Sequence, residues 1–362
     1  MTWNVDEPYN DLPGLPPRVD IETTAVMRDT IRARAALAGL DQASRRMPNP
    51  LVLVNSISLL EAQASSEIEN IVTTTDDLFR FAENPDAASN PATKETLRYR
   101  EALFAGLDAI RDRPLSATTA VDVCERIHRR RMTVRTLPGT FIGNPTTARA
   151  IYTPPTGERI IRDKLSNWAE YLHAQDGVDP LVKMAVAHYQ FEAIHPFEDG
   201  NGRTGRILNV LYLVEAGLLH APILFLSRYI IQSKQTYYRL LLAVTRDGSW
   251  EEWIRFILRG IAETADQTIA KIDEVQELQE HVRIAMREST SAGSNADLLD
   301  LLFEKPYARI SDVIERCGVS RPTATAWLDA LVAAGVLLTT KIGRERLFIN
   351  ARFLGILAGD HR

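Results

Sequence analysis

The chain has 362 residues, 45% of them hydrophobic and 25% charged, which is enough for two or three domains with a sizeable core. A formal net charge of −5 and a pI near 5.9 exclude a chain built mainly to coat nucleic acid or an anionic membrane. No run of about 18 apolar residues predicts a spanning helix, and the start, Met1-Thr2-Trp3-Asn4, lacks a secretory pattern. Cys124 and Cys317 stand far apart, so both are expected as small hydrophobes in a reducing compartment, with the cytoplasm as the expected location.

In chain order, the first twenty or so residues carry Pro8, Pro13, Pro16 and Pro17 and read as an extended lead-in. From about Ile21 to Ala82 the pattern is helical. Over 55–72, Ile57, Leu60, Ala64, Ile68 and Ile71 recur every three or four positions. Glu61, Ser65 and Glu69 stack at four-residue steps on another face. Residues 83–93, with Asn84-Pro85 and Asn90-Pro91, read as a loop, and helices resume at about 94–111 and 118–131. The stretch 137–157 is rich in Thr, Pro and Gly with a β-prone piece at 149–153, the pattern of a hairpin or extended flap. A helix is expected over 163–174.

Asp179-Pro180 predicts a helix start, an N-cap followed by proline in the first turn. That helix must end before Pro196, because a residue preceding proline is pushed out of the helical region. A second helix runs from about Gly202 to Gly217, amphipathic helices follow at 234–246 and 250–276, and 289–295 is a Ser/Gly-rich break. The expected units are a helical region over 1–100, a core over 101–276, and a separate unit over 290–362.

Chemistry concentrates between the two central helices, in His195-Pro196-Phe197-Glu198-Asp199-Gly200-Asn201-Gly202-Arg203-Thr204-Gly205-Arg206. An imidazole at a helix end can titrate near neutral pH and take a proton from a hydroxyl. Asp199 is a hard oxygen ligand for Mg²⁺ bridging phosphates. Gly200 and Gly202 permit a tight turn whose amides converge at the next helix N-terminus, a nest for anions. Asn201 adds a side-chain donor. Arg203 and Arg206, one turn apart, can clamp terminal phosphates. A capped interhelical turn alone would not gather so many phosphate-handling groups into twelve positions.

This stretch resembles the signature of the Fic family, H-P-F-x-[DE]-G-N-G-R-x-x-R, at every specified position, and the likeness extends from about Leu15 to Thr264. It includes Tyr152-Thr153-Pro154-Pro155 and Tyr237-Tyr238-Arg239-Leu240-Leu241. The resemblance implies a mainly α fold, a Fic helical core with a short β-hairpin flap. It also implies passage of AMP from ATP to a Ser, Thr or Tyr hydroxyl of a target protein, or of the chain itself. By the same carry-over His195 is the general base and Asp199 holds Mg²⁺. Gly200, Asn201, Gly202, Arg203, Thr204 and Gly205 bind the nucleotide, Arg206 holds the γ-phosphate, and Phe197 is a core anchor. Tyr237 and Tyr238 become base-side contacts, with plain helix packing as the alternative. The flap here, Gly139-Thr140-Phe141-Ile142-Gly143-Asn144-Pro145, lacks the Arg-rich stretch of many relatives, so the target does not carry over.

Ser65-Ser66-Glu67-Ile68-Glu69-Asn70 matches the family's inhibitory pattern, [ST]-x-x-x-E-[GN], with Ser65, Glu69 and Asn70 at its specified positions. Packed on the helix after the loop, Glu69 would pair with Arg206 and deny it to the γ-phosphate. Over 297–350 the order helix, helix, turn, helix, hairpin resembles a winged helix-turn-helix. Strands are expected at 335–338 and 346–349, and Arg321, Lys341, Arg344 and Arg346 are candidates for a basic patch. Residues 296–362 hold nine Lys and Arg against eight Asp and Glu, which favours a protein-docking or dimerising unit over a DNA reader.

His188 is expected in the core rather than as a metal ligand. His128, His173, His220, His281 and His361 carry no pattern, and Arg126, Arg129, Arg130 and Arg131 read as a solvated face near the flap. Transfer of another group, removal of AMP, or a nucleotide-sensing DNA regulator are the competing readings.

Overall fold

The computed structural model describes residues 3–47, 49–144, 149–342 and 345–359. Pro145, Arg344 and His361, named above, lie outside the described residues. The fold is built around α7 (Pro180–Ile194), in which every residue except Pro180 and Glu192 is buried. A helix buried on all sides belongs at the centre of a bundle. Asp179 caps it by accepting from the Leu181 amide at 2.8 Å, as the Asp-Pro pair predicts.

Around α7 lie α6 (Glu158–His173), α8 (Asn201–Glu215) and α11 (Trp250–Ser289). Trp168 of α6 and Trp253 of α11 each send an indole N–H to an α7 carbonyl, at 3.0 and 2.8 Å. That satisfies the polar handle of a buried Trp. The helix α1 (Thr24–Arg45) lies along α11, where Asp29 meets Arg255 and Arg259 at 2.9 and 3.2 Å. Across the bundle from these, α2 (Leu51–Ile68), α4 (Pro91–Asp112) and α5 (Ala117–His128) cover α8. The short α3 (Thr75–Phe81), α9 (Leu226–Gln232) and α10 (Lys234–Asp247) fill the remaining sides.

The expected flap is an antiparallel pair, β1 (Ile142–Asn144) and β2 (Arg149–Tyr152). The lead-in is docked rather than free. Tyr9 N–H bonds Thr153 O at 3.0 Å, Gln190 reaches Pro13 O at 2.8 Å, and Asn167 brackets Leu15 at both backbone groups. Leu12 and Leu15 are buried. The proline run pre-sets an extended path along the flap base, with its apolar side chains turned inward.

The helix expected to end at 276 runs on to Ser289, with Ile272, Val275, Leu278, Val282 and Met286 buried. The expected limit 100/101 falls inside α4 and the limit 276 inside α11. Beyond α11 come α12 (Ala296–Glu304), β3 (Tyr307–Arg309), α13 (Ile310–Cys317), α14 (Arg321–Ala333), β4 (Leu338–Ile342), β5 (Glu345–Ile349) and α15 (Ala351–Ala358). The sheet order is β3-β5-β4, antiparallel throughout. The first hairpin strand begins later than 335, because Val336 and Leu337 donate back to Leu331 O and close α14. Cys317 is half-buried rather than core, while Cys124 is buried. This unit packs against α2 and α3. Asn49 bonds Glu304 at 3.1 Å, Lys305 meets Glu83 at 2.6 Å, and Tyr307 bonds Asp76.

Candidate active site

The loop begins where α7 stops. His195 sits at φ +49°, a left-handed conformation that a non-glycine residue holds only when its surroundings enforce it. Arg135 supplies that enforcement. Buried before the flap, it donates from Nε to His195 O at 2.7 Å and from Nη2 to Ile194 O at 3.2 Å, and its amide bonds Pro196 O at 2.9 Å. Phe197 is fully buried, as expected of an anchor, and Glu198 faces solvent.

The His195 imidazole does not titrate near neutrality. Burial, then the Arg135 charge, push it down to about 4. The ring is therefore neutral at physiological pH and ready to accept a proton. Its place at a helix end alone predicts titration near neutral pH. Desolvation of the ring makes most of the difference, and the Arg135 charge adds to it.

Asn201 also departs from expectation. Its side chain is buried and closes on Phe197 alone, accepting from the Phe197 amide and donating to the Phe197 carbonyl, both at 2.8 Å. It braces the turn and is not a free donor. Gly200 takes φ +81°, and Thr204 N–H makes the first intrahelical bond, to Gly200 O, at 2.9 Å. The amides of Asn201, Gly202 and Arg203 precede that bond and form the helix's open N-terminal donors. The Thr204 side chain is buried, and Gly205 lies against Glu192, so neither presents a side chain to a nucleotide. Asp199 is largely exposed, with Oδ1 accepting from the Gly200 amide at 2.6 Å.

The two arginines diverge. Arg203 is buried and meets Glu95 of α4 at 2.6 Å, with Asp199 4.0 Å away. Arg206 is 3% exposed and turns to α2. Its Nε donates to Ser65 Oγ at 2.8 Å, and Nη2 donates to Ser65 O at 2.9 Å and to Glu69 Oε1 at 2.7 Å. Glu69 sits at the C-terminus of α2, and Asn70 follows at φ +63° with its Oδ1 accepting from Lys234. Asn tolerates the left-handed region better than most residues, so α2 can stop directly after Glu69. Gly202 completes the contact: a Cβ there would lie 2.3 Å from Glu69 Oε1.

Two further carboxylates face this guanidinium. Glu61, two turns before Glu69, is buried and accepts from Ser227 N at 3.0 Å, from Ser227 Oγ, and from Tyr99 OH at 3.2 Å. Glu192 is pushed up to about 7 by burial, with Arg206 acting against the rise and Glu69 adding to it. A Cβ on Gly205 would lie 2.5 Å from its Oε1.

On the remaining side Tyr237 is buried, its hydroxyl 2.9 Å from His188 Nε2 and its ring packed with Trp253 and Phe256. It is a core residue, whereas Tyr238 is 41% exposed and edge-on to it at 5.2 Å. Only Tyr238 of the pair is open to a ligand. His188 is likewise core, pushed down to about 3 by burial.

Several participants carried no sequence pattern: Arg135, Glu95 and His128. His128 ends α5 with Nε2 3.9 Å from Asp199 Oδ2. Glu192 did carry one, as the only acid in the central helix. Arg129 is paired with Asp86 and Glu101; Arg126, Arg130 and Arg131 are exposed, but only Arg126 lies in a helix, because α5 ends at His128.

Known proteins bear on this arrangement. Three family models match consecutive stretches: the Fic/DOC family N-terminal model over residues 27–108, the Fic/DOC family model over 117–213, and the C-terminal domain of SoFic-like protein adenylyltransferases over 278–353. A protein adenylyltransferase Fic of Drosophila virilis is 32% identical over 107 residues, 30% of this chain and 20% of that protein. A probable protein adenylyltransferase of Aquifex aeolicus is 37% identical over 81 residues, 22% of this chain and 25% of that one. The chain spans well under two thirds of the length of these relatives. In fold it is similar to a Fic family protein from Desulfovibrio desulfuricans G20, with a TM-score of 0.60 and 19% identity over 92% of this chain and 98% of that one. It is also similar to a fragment of Fic-1 from C. elegans, with a TM-score of 0.52 and 17% identity over 70% and 74% of the two chains. A mainly α bundle with the His195–Arg206 loop at its centre, matched in order by all three models, belongs to the Fic/DOC family.

Proposed function

We propose that the chain transfers AMP from ATP to a hydroxyl of a protein and that Glu69 restrains it. The observation that carries this reading is the Glu69–Arg206 contact at 2.7 Å, made across the open end of α8 beside a neutral, half-buried His195. His195 takes the proton from a Ser, Thr or Tyr hydroxyl. The oxygen then forms a bond to the α-phosphorus as the bond to the pyrophosphate oxygen breaks, and pyrophosphate leaves. The amides of Asn201, Gly202 and Arg203 stabilise charge on the phosphates. Tyr238 lines the side where a base would lie.

Among the described residues no three His, Cys, Asp or Glu side chains gather to hold a metal. The exposed Asp199 carboxylate suits Mg²⁺ all the same, because that ion is commonly held by one or two carboxylates plus substrate phosphates. Held by Asp199, Mg²⁺ would supply positive charge against that developing on the departing pyrophosphate. With Glu69 on Arg206, the γ-phosphate loses its guanidinium and ATP lies out of line for attack.

The C-terminal unit reads as a docking or dimerising module. Arg346 is paired with Asp329 at 2.5 Å and lies over Phe348 at 4.8 Å, which takes it out of a DNA-facing patch. No helix among the described residues is long and apolar enough to cross a membrane.

The test uses ATP labelled at either the α- or the γ-phosphate, with parent and Glu69→Gly proteins. The proposal expects α-label alone to stay on protein, and the variant to incorporate it about tenfold faster or more, the equivalent of one strong charged hydrogen bond. Retention of γ-label would mean phosphate transfer, and equal rates would end the restraint model.

A further inference from the structure

His128 lies at the last position of α5, packed over the loop and unused by the mechanism above. Its side chain is 11% exposed, and its Nε2 is buried without a hydrogen-bond partner among the described residues. A buried ring nitrogen left unpaired is costly, and such an orphan calls for an explanation. Asp199 Oδ2 lies 3.9 Å away, just beyond a bond. Asp199 is 65% exposed, whereas the His128 side chain is largely buried. The other oxygen, Oδ1, is already held by the Gly200 amide at 2.6 Å. Gly200 itself is cut to fit this ring: a Cβ there would lie 2.5 Å from His128 Nε2, and its φ of +81° already calls for glycine. The loop thus leaves room for an imidazole beside the exposed Asp199 carboxylate.

We propose that His128 is a positioning residue for Asp199, donating from Nε2 to Oδ2 and so fixing the plane in which the carboxylate meets a divalent cation. With Oδ1 on the Gly200 amide and Oδ2 on His128, each oxygen keeps a lone pair for the ion. Partners of this kind orient metal-binding carboxylates and raise affinity without touching the metal. The inference rests on the reading of Asp199 as the cation ligand.

The experiment titrates Mn²⁺, followed by its electron paramagnetic resonance signal, into full-length Glu69→Gly protein saturated with ADP. In that background His128→Leu is expected to weaken Mn²⁺ binding about tenfold, the scale for losing an outer partner of a metal ligand. His128→Gln, which keeps an amide donor, should recover most of the loss. ADP affinity measured in EDTA should be unchanged in both variants. Asp199→Ala serves as the control. If it leaves Mn²⁺ affinity intact, the reading of Asp199 fails and the inference with it. If Asp199→Ala loses the ion while His128→Leu keeps it, the inference alone is overturned. A matching loss of ADP affinity in EDTA would place His128 on the phosphates or in the fold, and would overturn it as well.

Discussion

Gly202 offers a direct way to weigh the Glu69–Arg206 contact, because a single added methyl presses hardest on Glu69 and less on Arg206. A Cβ at Gly202 falls 2.3 Å from Glu69 Oε1 and 3.0 Å from Arg206 Nη1. Oε1 must withdraw by roughly 1 Å to reach ordinary contact. Added to the present 2.7 Å, that lengthens the bond to Arg206 past the range in which a hydrogen bond survives. A charge-assisted bond of this kind contributes about 1.5–3 kcal/mol. Against it, alanine in place of glycine in the first turn of α8 gains about 0.5–1 kcal/mol. Gly202→Ala should therefore destabilise the parent by about 1 kcal/mol and stabilise Glu69→Gly protein by somewhat less. The assay is thermal unfolding of all four members of the cycle without nucleotide. A melting temperature lowered by about 2 °C in the parent background and raised in the Glu69→Gly background is the expected result. Shifts of the same sign and size in both backgrounds would show that Glu69 does not occupy the space beside Gly202, and would refute the reasoning.

Asn201→Ala removes both bonds to Phe197 and should destabilise the protein by about 2 kcal/mol, seen as a lower melting temperature even without nucleotide. Asn201→Asp keeps the acceptor and should lose roughly half of that. Acid stability should depend on His188, whose folded pKa is pushed from 6.5 down to about 3. A depressed His pKa means that the unfolded chain binds the extra proton, so stability is fully present above 6.5 and falls as the pH drops through 6.5 toward 3. Glu192, raised from 4.5 to about 7, acts in the opposite sense between 7 and 4.5. The difference between parent and His188→Gln isolates the histidine: the variant's melting temperature should fall less steeply between pH 6.5 and 4. Identical slopes would show that the ring is not held neutral.

Much of this was legible in the sequence where a residue type forces a local outcome. Asp179-Pro180 starts α7, Pro196 ends it, and the glycines open the loop, because backbone sterics decide these points without help from distant residues. The four-residue spacing of Ser65 and Glu69 correctly put both on one face of α2, and both meet Arg206. The polar run near 276 masked the stripe that carries α11 on to Ser289. The seven-residue α9 was too short to show a period. Side-chain direction was the larger gap. Nothing local says that Asn201 turns back on Phe197, that Tyr237 faces the core while Tyr238 faces out, or that Arg203 takes a partner from α4. Arg135 and His128 reach the loop from outside it, so their roles arise only once α5 and the flap pack on α8.

The central claim is that this loop moves AMP, with His195 as base and Arg206 freed from Glu69. Its most direct test is the intact mass of Glu69→Gly, Glu69→Gly/His195→Ala and Glu69→Gly/Arg206→Ala proteins after incubation with ATP, Mg²⁺ and a hydroxyl-bearing protein acceptor, the chain itself included. The account predicts one added AMP mass with the first protein, none with the second, and strongly reduced addition with the third. Equal addition with all three would contradict both assignments, and addition of any other mass would contradict the reaction.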